Sequence, residues 1–270
     1  MQKLINRMGC IGLILIISAC GSTEPEPDIT QSLGWDIAGP VIDGGDILTK
    51  AEEKILVKEL KGFAKKQGVR LMLYTVPDLQ GETIEGLSLS LKDRLQVGKP
   101  DLNNGGVIYI SKADRQVKVE AEPGLEWQIP DSVALQIVDL MVPDFRENRF
   151  LNGLQKGFGR MAELGGQVSW KPKFQAWSEV VSSGEAAVGE IVRLEGTGPH
   201  REVGTGYTKN QFDPELYGKL GLVGSDSVEV RFTRYMLDMF DNHFGTDRPM
   251  ILTGRVAQLE PPVVRMIAVE

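Results

Sequence analysis

The residues of this chain that could hold a metal ion are mostly oxygen donors. With only 2 Cys and 2 His among 270 residues, the chain is excluded from the class of structural zinc proteins, whose sites take about four such ligands. Calcium prefers carboxylate and amide oxygens, and the chain contains 37 Asp and Glu residues. No EF-hand spacing is present. The sequence suggests a candidate calcium site made of six side chains: Asp43, Asp101, Asn103, Asn104, Glu126 and Asp131.

The same residues also have an ordinary structural interpretation. Asp43 and Asp131 would cap a turn or a helix, Asn103 and Asn104 would form a turn, and Glu126 would be a surface carboxylate. Ligands of α/β sheets sit at the carboxyl ends of strands. A shared site therefore requires the loop before Val107 and the turn after Val119 to meet at such an edge. The sequence leaves both interpretations open.

Phosphate-ester hydrolysis would need a nucleophile or a metal-bound water, together with a cation that stabilises the developing charge. Arg146 and the acidic cluster are the candidates for these roles. The chain has no D-x-D-x-T, R-H-G or C-x5-R motif. Arg146 is more simply explained as a structural residue that pairs with a carboxylate, so we predict no catalytic residue.

The N-terminus has the features of a bacterial export signal. Lys3 and Arg7 form a short positive region, and residues 8–17 are an apolar run too short for a normal membrane-spanning helix. The tetrad Ile17–Cys20 resembles the lipobox of bacterial lipoproteins. This resemblance predicts a signal peptide over residues 1–19 and lipidation, including palmitate, at Cys20.

The predicted tether covers residues 20–36 and begins with a polar, proline-containing stretch that cannot build a core. Processing would remove Cys10 and acylate Cys20, which excludes cysteine catalysis. Gly21 stands where an aspartate favours retention in the inner membrane. By analogy with that sorting rule, we expect a periplasm-facing protein anchored in the outer membrane rather than the inner one.

The composition narrows the possible partners. The formal charge is −7, from 30 Lys and Arg against 37 Asp and Glu. An acidic chain lacks the basic stripe that displaces counterions from DNA or RNA, so nucleic acid is not an expected partner. The expected partners are the membrane, through the lipid, and an unidentified protein of the cell envelope.

Helical and strand patterns alternate in residues 37–166, which predicts a three-layer α/β/α domain. Thr49 and Glu52 form a capping box at the start of the first helix, and Gly68 is its expected C-cap. A third helix is expected to begin with Asp131 as its N-cap and to stop at Pro143. The other predicted elements are strands at 69–76, 107–110 and 117–121, a hairpin turn at 113–116, and helices at 83–95 and 149–164.

Residues 167–270 have a different character. Four segments alternate polar and apolar residues: 188–198, 227–233, 251–257 and 263–269. A short helix is expected at 235–240. Four or five short strands with glycine turns predict a small, mostly-β domain, either an OB-like barrel or a sandwich.

Several segments of the first domain together resemble the TPM family, named from a thylakoid-lumen phosphatase-like protein. They are residues 41–49, 68–79, 104–110, 117–131 and 143–153. The resemblance implies an association with phosphatase activity, and some members of the family bind calcium. The chain departs from the family pattern at three places. The family usually has glycine where Glu122 stands and an aromatic residue where Pro123 stands, and it often has aspartate where Asn103 or Asn104 stands.

These observations predict a lipid-anchored periplasmic protein with an accessory or protein-interaction role in the cell envelope. The alternative is a phosphatase that depends on a divalent cation such as calcium. A third hypothesis is a calcium-binding module whose metal is purely structural. Turnover of a phosphomonoester, or a metal-raised melting temperature without turnover, would separate them.

Overall fold

The computed structural model describes residues 33–200, 216–222, 228–232, 249–259 and 263–269. The predicted signal peptide, Cys20 and most of the predicted tether lie outside the described residues. The first part of the fold contains eight elements: β1 (Val41–Asp43), α1 (Lys50–Lys66), β2 (Arg70–Val76), α2 (Ile84–Leu95), β3 (Gly105–Ser111), β4 (Gln116–Ala121), α3 (Asp131–Arg146) and α4 (Phe150–Gly165).

The four strands form one mixed sheet in the order β1-β2-β3-β4. The first three strands run parallel, with Leu73 opposite Ile108. β4 is antiparallel to β3, to which it is joined by the predicted hairpin turn, and Ile108 lies opposite Val119. β1 and β4 are therefore the two outer strands of this sheet.

Alternation along the strands creates a separate core on each face of the sheet. Leu71 and Leu73 face one core, built with α1, α3 and α4. Met72 faces the opposite core, built with α2 through residues such as Leu91 and Leu95. The predicted three-layer α/β/α arrangement is confirmed.

The start of α1 is confirmed in detail. The Thr49 hydroxyl accepts from the Glu52 backbone N–H, and the Glu52 carboxylate accepts from the Thr49 backbone N–H. The C-cap of α1 is Gln67 rather than the predicted Gly68, which comes one residue later with a φ of +75°. Glycine tolerates this left-handed conformation, which turns the chain directly into β2.

Both predicted ends of α3 are wrong. Its N-cap is Pro130, and Asp131 is the first helical residue rather than the cap. Pro143 lies inside the helix, which continues to Arg146. Proline removes one backbone donor, but the next residue, Asp144, is buried and bound to two cations of the α4 region. These tertiary contacts hold the last turn in place.

The second part of the fold begins with the short helix α5 (Trp177–Ser183), which we did not predict, and a 3₁₀ turn (Gly184–Ala187). Five described strands follow: β5 (Ile191–His200), β6 (Leu216–Leu222), β7 (Val228–Phe232), β8 (Pro249–Gln258) and β9 (Val263–Val269). β6 was also not predicted. The helix expected at 235–240 lies outside the described residues.

The five strands close into a barrel in the order β5-β6-β7-β9-β8. β7 and β9 pair in parallel, and the other neighbours are antiparallel. A barrel rather than a sandwich therefore forms the small β part. The predicted boundary between residues 166 and 167 stays a prediction. No helix within the described ranges has the length and hydropathy needed to cross a bilayer.

Candidate functional site

Asn104 joins three loops at the amino end of β3. Its side chain is fully buried. Its Oδ1 accepts from the Lys99 backbone N–H at 2.9 Å, and its Nδ2 donates to the Gly68 carbonyl at 2.5 Å. Both ends of the amide are thus used in holding the loops together, as a buried polar group requires.

The Glu122 side chain, just after β4, fills the space between the loops at the same end of the sheet. Its carboxylate accepts from the backbone N–H groups of Val97, Gly98 and Gly105 at 3.0, 2.9 and 3.1 Å. A Cβ at Gly98 would lie 2.6 Å and 2.7 Å from the backbone nitrogens of Asn104 and Gly105, so only glycine fits there. We did not predict this role, although the departure from the family pattern at Glu122 was its visible signal.

The barrel packs against this amino end. Asn103 has a φ of +39°, and its Nδ2 donates to the Ile267 carbonyl of β9 at 2.5 Å. Leu102 beside it is buried with Ile191 and Ile267 of the barrel. Asp101, one residue earlier, is exposed on the turn.

A buried arginine completes this junction. Arg255 of β8 is 2 % exposed, and it donates to the Gly189 carbonyl at 2.5 Å and to the Gly124 carbonyl at 3.5 Å. Its guanidinium lies 5.9 Å from the ring centre of Trp170. Burial lowers the pKa of Arg255 to about 10. The barrel therefore covers loops of the α/β part through directed hydrogen bonds as well as apolar contact.

Asp43 lies at the other end of the sheet. Its carboxylate accepts from the Thr75 hydroxyl at 2.5 Å and from the backbone N–H groups of Ile47 and Leu48 at 3.1 and 2.9 Å. It caps the turn that leads into α1. Because β1, β2 and β3 are parallel, Asp43 is about 20 Å, the length of a strand, from Asn104.

Glu126 and Asp131 come together in a groove beside β4. The groove has a cavity of about 140 Å³. The Lys118 ammonium and the Glu120 carboxylate, 3.2 Å apart, belong to the same wall. The full lining is Lys118, Val119, Glu120, Ala121, Pro123, Glu126, Ile129, Asp131 and Ala134.

The six predicted calcium ligands thus occupy three places: the amino-end loop, the β4 groove and the carboxyl end of β1. The two predicted loops do meet, since the Gly124 N–H donates to the Asn103 carbonyl. They meet at the amino end of β3, however, rather than at its carboxyl end. No three His, Cys, Asp or Glu side chains of the described ranges are grouped so as to hold a metal. The calcium site stays a prediction.

The acidic partner near the end of α3 pairs with cations other than Arg146. Asp144 bonds to Arg149 at 2.7 Å and to Lys156 at 2.5 Å. Hydrogen bonds from Lys156 and Arg149 lower the pKa of Asp144. Arg146 is exposed, so the ion pair predicted for it is made by its neighbours instead.

The fold and these loops define an α/β/α domain followed by a β-barrel. The model of the TPM domain family matches residues 41–164, and the chain therefore contains a TPM domain. The match covers β1 through α4 and leaves the barrel outside it.

Two solved structures are similar to this chain. The N-terminal domain of a protein from P. gingivalis is 27 % identical, with a TM-score of 0.42, over 46 % of this chain and 80 % of that one. The BA42 protein from the psychrophilic bacterium Bizionia argentinensis is 18 % identical, with a TM-score of 0.42, over 46 % and 86 %. No curated protein matches the chain.

Proposed function

We propose that this chain is a lipid-anchored protein of the cell envelope whose TPM domain is an accessory, protein-binding module rather than a phosphatase. The observation that carries the proposal is the closed amino end of the sheet. There, Glu122 fills the cradle of backbone N–H groups, the Asn104 amide is used at both ends, and the barrel packs over the loops. These polar groups hold the fold, so they are not available to a phosphate ester.

The direct test is hydrolysis of p-nitrophenyl phosphate by the mature full-length protein in mild detergent, with and without calcium. We expect no turnover above a protein-free blank. Metal-dependent turnover that is lost in Asp43→Ala or in Asp131→Ala would instead establish the phosphatase. Asp139→Ala is a matched control, because Asp139 is an exposed carboxylate on α3 outside the groove.

The anchoring part of the proposal rests on Lys3, Arg7 and the tetrad Ile17–Cys20. Expression of the full chain in a bacterium supplied with labelled palmitate should label the protein. The label should be lost in Cys20→Ala and kept in Cys10→Ala, since Cys10 lies in the part that is removed. Label in the Cys20→Ala protein would contradict the lipobox, and membrane fractionation would test the outer-membrane assignment.

The β4 groove favours one alternative, a divalent-cation site used by a phosphatase or held for structure alone. Glu126 and Asp131, two of the predicted ligands, both line its cavity, and carboxylates are ordinary calcium ligands. Calorimetric titration of the full-length protein with calcium tests this. Binding that disappears in Glu126→Gln and Asp131→Asn would support the alternative, and turnover would then separate its two forms.

A further inference from the structure

The outer edge of β4 is unoccupied among the described residues, because β3 is its only strand neighbour there. The Glu122 N–H donates to the Gly105 carbonyl. This bond shows which residues of β4 form the hydrogen-bonded pairs with β3. Hydrogen-bonded and non-bonded pairs alternate along an antiparallel ladder. The backbone groups of Val117, Val119 and Ala121 therefore point away from β3, toward the open side.

We propose that this edge pairs with the same edge of a second copy of the chain. The two β4 strands run antiparallel about a two-fold axis at Val119 and join two four-stranded sheets into one of eight strands. An open edge is a template for another strand. A two-fold interface requires a surface that is complementary to itself, and the sequence of β4 meets this requirement.

The register about Val119 aligns every outward group. Val119 faces its own copy, and Val117 faces Ala121, so all three residues with outward backbone groups form hydrogen-bonded pairs. Lys118 of each copy lies opposite Glu120 of the other. Opposite charges placed across a sheet stabilise the pairing, whereas like charges oppose it. The dimer contains two such Lys–Glu pairs.

The ends of the groove are also complementary in charge. In the same register, position 115 of one copy comes beside position 123 of the other. Arg115 is exposed on the β3–β4 turn, and Pro123 lies on the groove wall that carries Glu126 and Asp131. Each turn therefore brings a cation toward the acidic end of the other copy's groove.

An apolar stripe on α3 adds to this surface. α3 packs over β4 on one face of the sheet. Leu135 is 67 % exposed, and Val138 and Val142, at the i+3 and i+7 positions, are half-buried. Residues at this spacing share one side of a helix, the side that also carries Asp131 of the groove. A two-fold axis perpendicular to the sheet places both stripes on the same face, where they meet.

An extended basic peptide is the competing occupant of the acidic groove. A second copy explains more, because it sets Lys118 opposite Glu120 across the two strands, in addition to the ion pair within each copy, and covers Leu135 at the same time. The proposal does not depend on lipid anchoring or on the absence of turnover.

The test is sedimentation of the full-length protein in mild detergent. We expect the parent to be a dimer. Lys118→Glu and Glu120→Lys should each raise the dissociation constant of the dimer about tenfold or more, since like charges then face each other in both 118–120 pairs. An equimolar mixture of the two variants should restore a dimer, because each then supplies the charge that the other lacks. Lys61→Glu, an exposed change on α1, is the matched control.

The mixture separates loss of the interface from loss of the fold, because misfolded variants cannot rescue each other. Register is tested by mixing a Lys118→Cys copy with a Glu120→Cys copy under oxidation. Facing positions in a non-bonded pair are about 4.5 Å apart, within disulfide reach. A covalent dimer is expected only from the mixture, with the parent as the thiol control. A monomeric parent, single variants that remain dimeric, or a monomer that binds a lysine-rich peptide would overturn the proposal.

Discussion

The amino end of the four-stranded sheet and the outer edge of β4 are two surfaces of one small sheet with opposite properties. At the amino end, Glu122 and Asn104 are bonded to neighbouring loops, and Arg255 ties the barrel to the Gly124 carbonyl. At the β4 edge, backbone groups and charged side chains line a groove, and Leu135 is exposed nearby on α3. The comparison indicates that the polar residues near the family motifs stabilise the fold, whereas the proposed binding surface is the strand edge.

The difference follows from where the sequence puts its charges. A carboxylate that accepts three backbone N–H groups is satisfied from within, and it occupies a position where an external anion would otherwise bind. Charges along β4 instead alternate in sign at positions 118 and 120. Lys118 and Glu120 pair with each other within the chain, and the same alternation places opposite charges face to face when two such strands lie antiparallel.

The largest effect is expected at the junction with the barrel. Arg255→Ala leaves the Gly189 and Gly124 carbonyls without their donor and opens a void beside Trp170, which should lower the free energy of unfolding by about 3 kcal/mol. Denaturant titration measures this. Arg255→Met keeps most of the volume and should lose less. Equal stability of the parent and the Ala variant would show that the barrel does not secure the amino end.

The next largest loss of stability is expected when the Glu122 carboxylate is removed. Glu122→Ala leaves three backbone N–H groups without an acceptor and should cost about 2 kcal/mol in unfolding free energy. Glu122→Gln keeps an acceptor oxygen and should cost less. Thermal unfolding of both variants, beside the exposed control Glu82→Ala, measures the difference. A Glu122→Ala protein as stable as the control would mean that the amino end is open after all.

Asp43 and Asp131 test whether the predicted calcium ligands bind a metal or only cap a turn or a helix. Asp43→Ala removes the acceptor for Ile47, Leu48 and the Thr75 hydroxyl and should cost about 1 kcal/mol, with calcium or without it. Asp131→Ala, at an exposed first helical residue, should change stability by less than about 0.5 kcal/mol. Calcium that stabilises the parent but not Asp43→Ala would instead make Asp43 a ligand.

The smallest effect is a pH dependence at the helix beside the open edge. The pKa of Asp144 is held below its ordinary value of 3.8, first by Lys156 and then by Arg149. A lowered carboxyl pKa adds stability that is complete above the ordinary value and is lost as the pH falls through the lowered one. The parent should exceed Asp144→Asn in stability at neutral pH, and the gap should close in acid. Asp139→Asn should be as stable as the parent at both pH values. A stability difference between the parent and Asp144→Asn that widens in acid would contradict the lowered pKa.

Much of the α/β part could be predicted because its signals are local. The Thr49–Glu52 capping box and the apolar period placed α1, and an apolar run bounded by Gly68 and Pro77 placed β2. The end of α3 could not be read in this way. Pro143 marks a stop by local rules, but the contacts of Asp144 with residues farther along the chain continue the helix.

The candidate site was harder to predict because its geometry is not local. Proximity of Asn103 to Gly124 follows from the β3–β4 pairing, and the sequence indicated it. Nothing in the local pattern showed that Asp43 lies at the far end of the sheet, or that the Glu122 carboxylate turns inward. Those facts depend on strand direction and on loops brought together across the fold.

The most direct test of the closed amino end is amide hydrogen exchange of the full-length protein, with and without calcium. The N–H groups of Val97, Gly98 and Gly105 are bonded to Glu122 and buried, so they should exchange slowly and at the same rate in both conditions. Fast exchange of these amides, or protection that appears only with calcium, would contradict the account and return this end of the sheet to the list of binding sites.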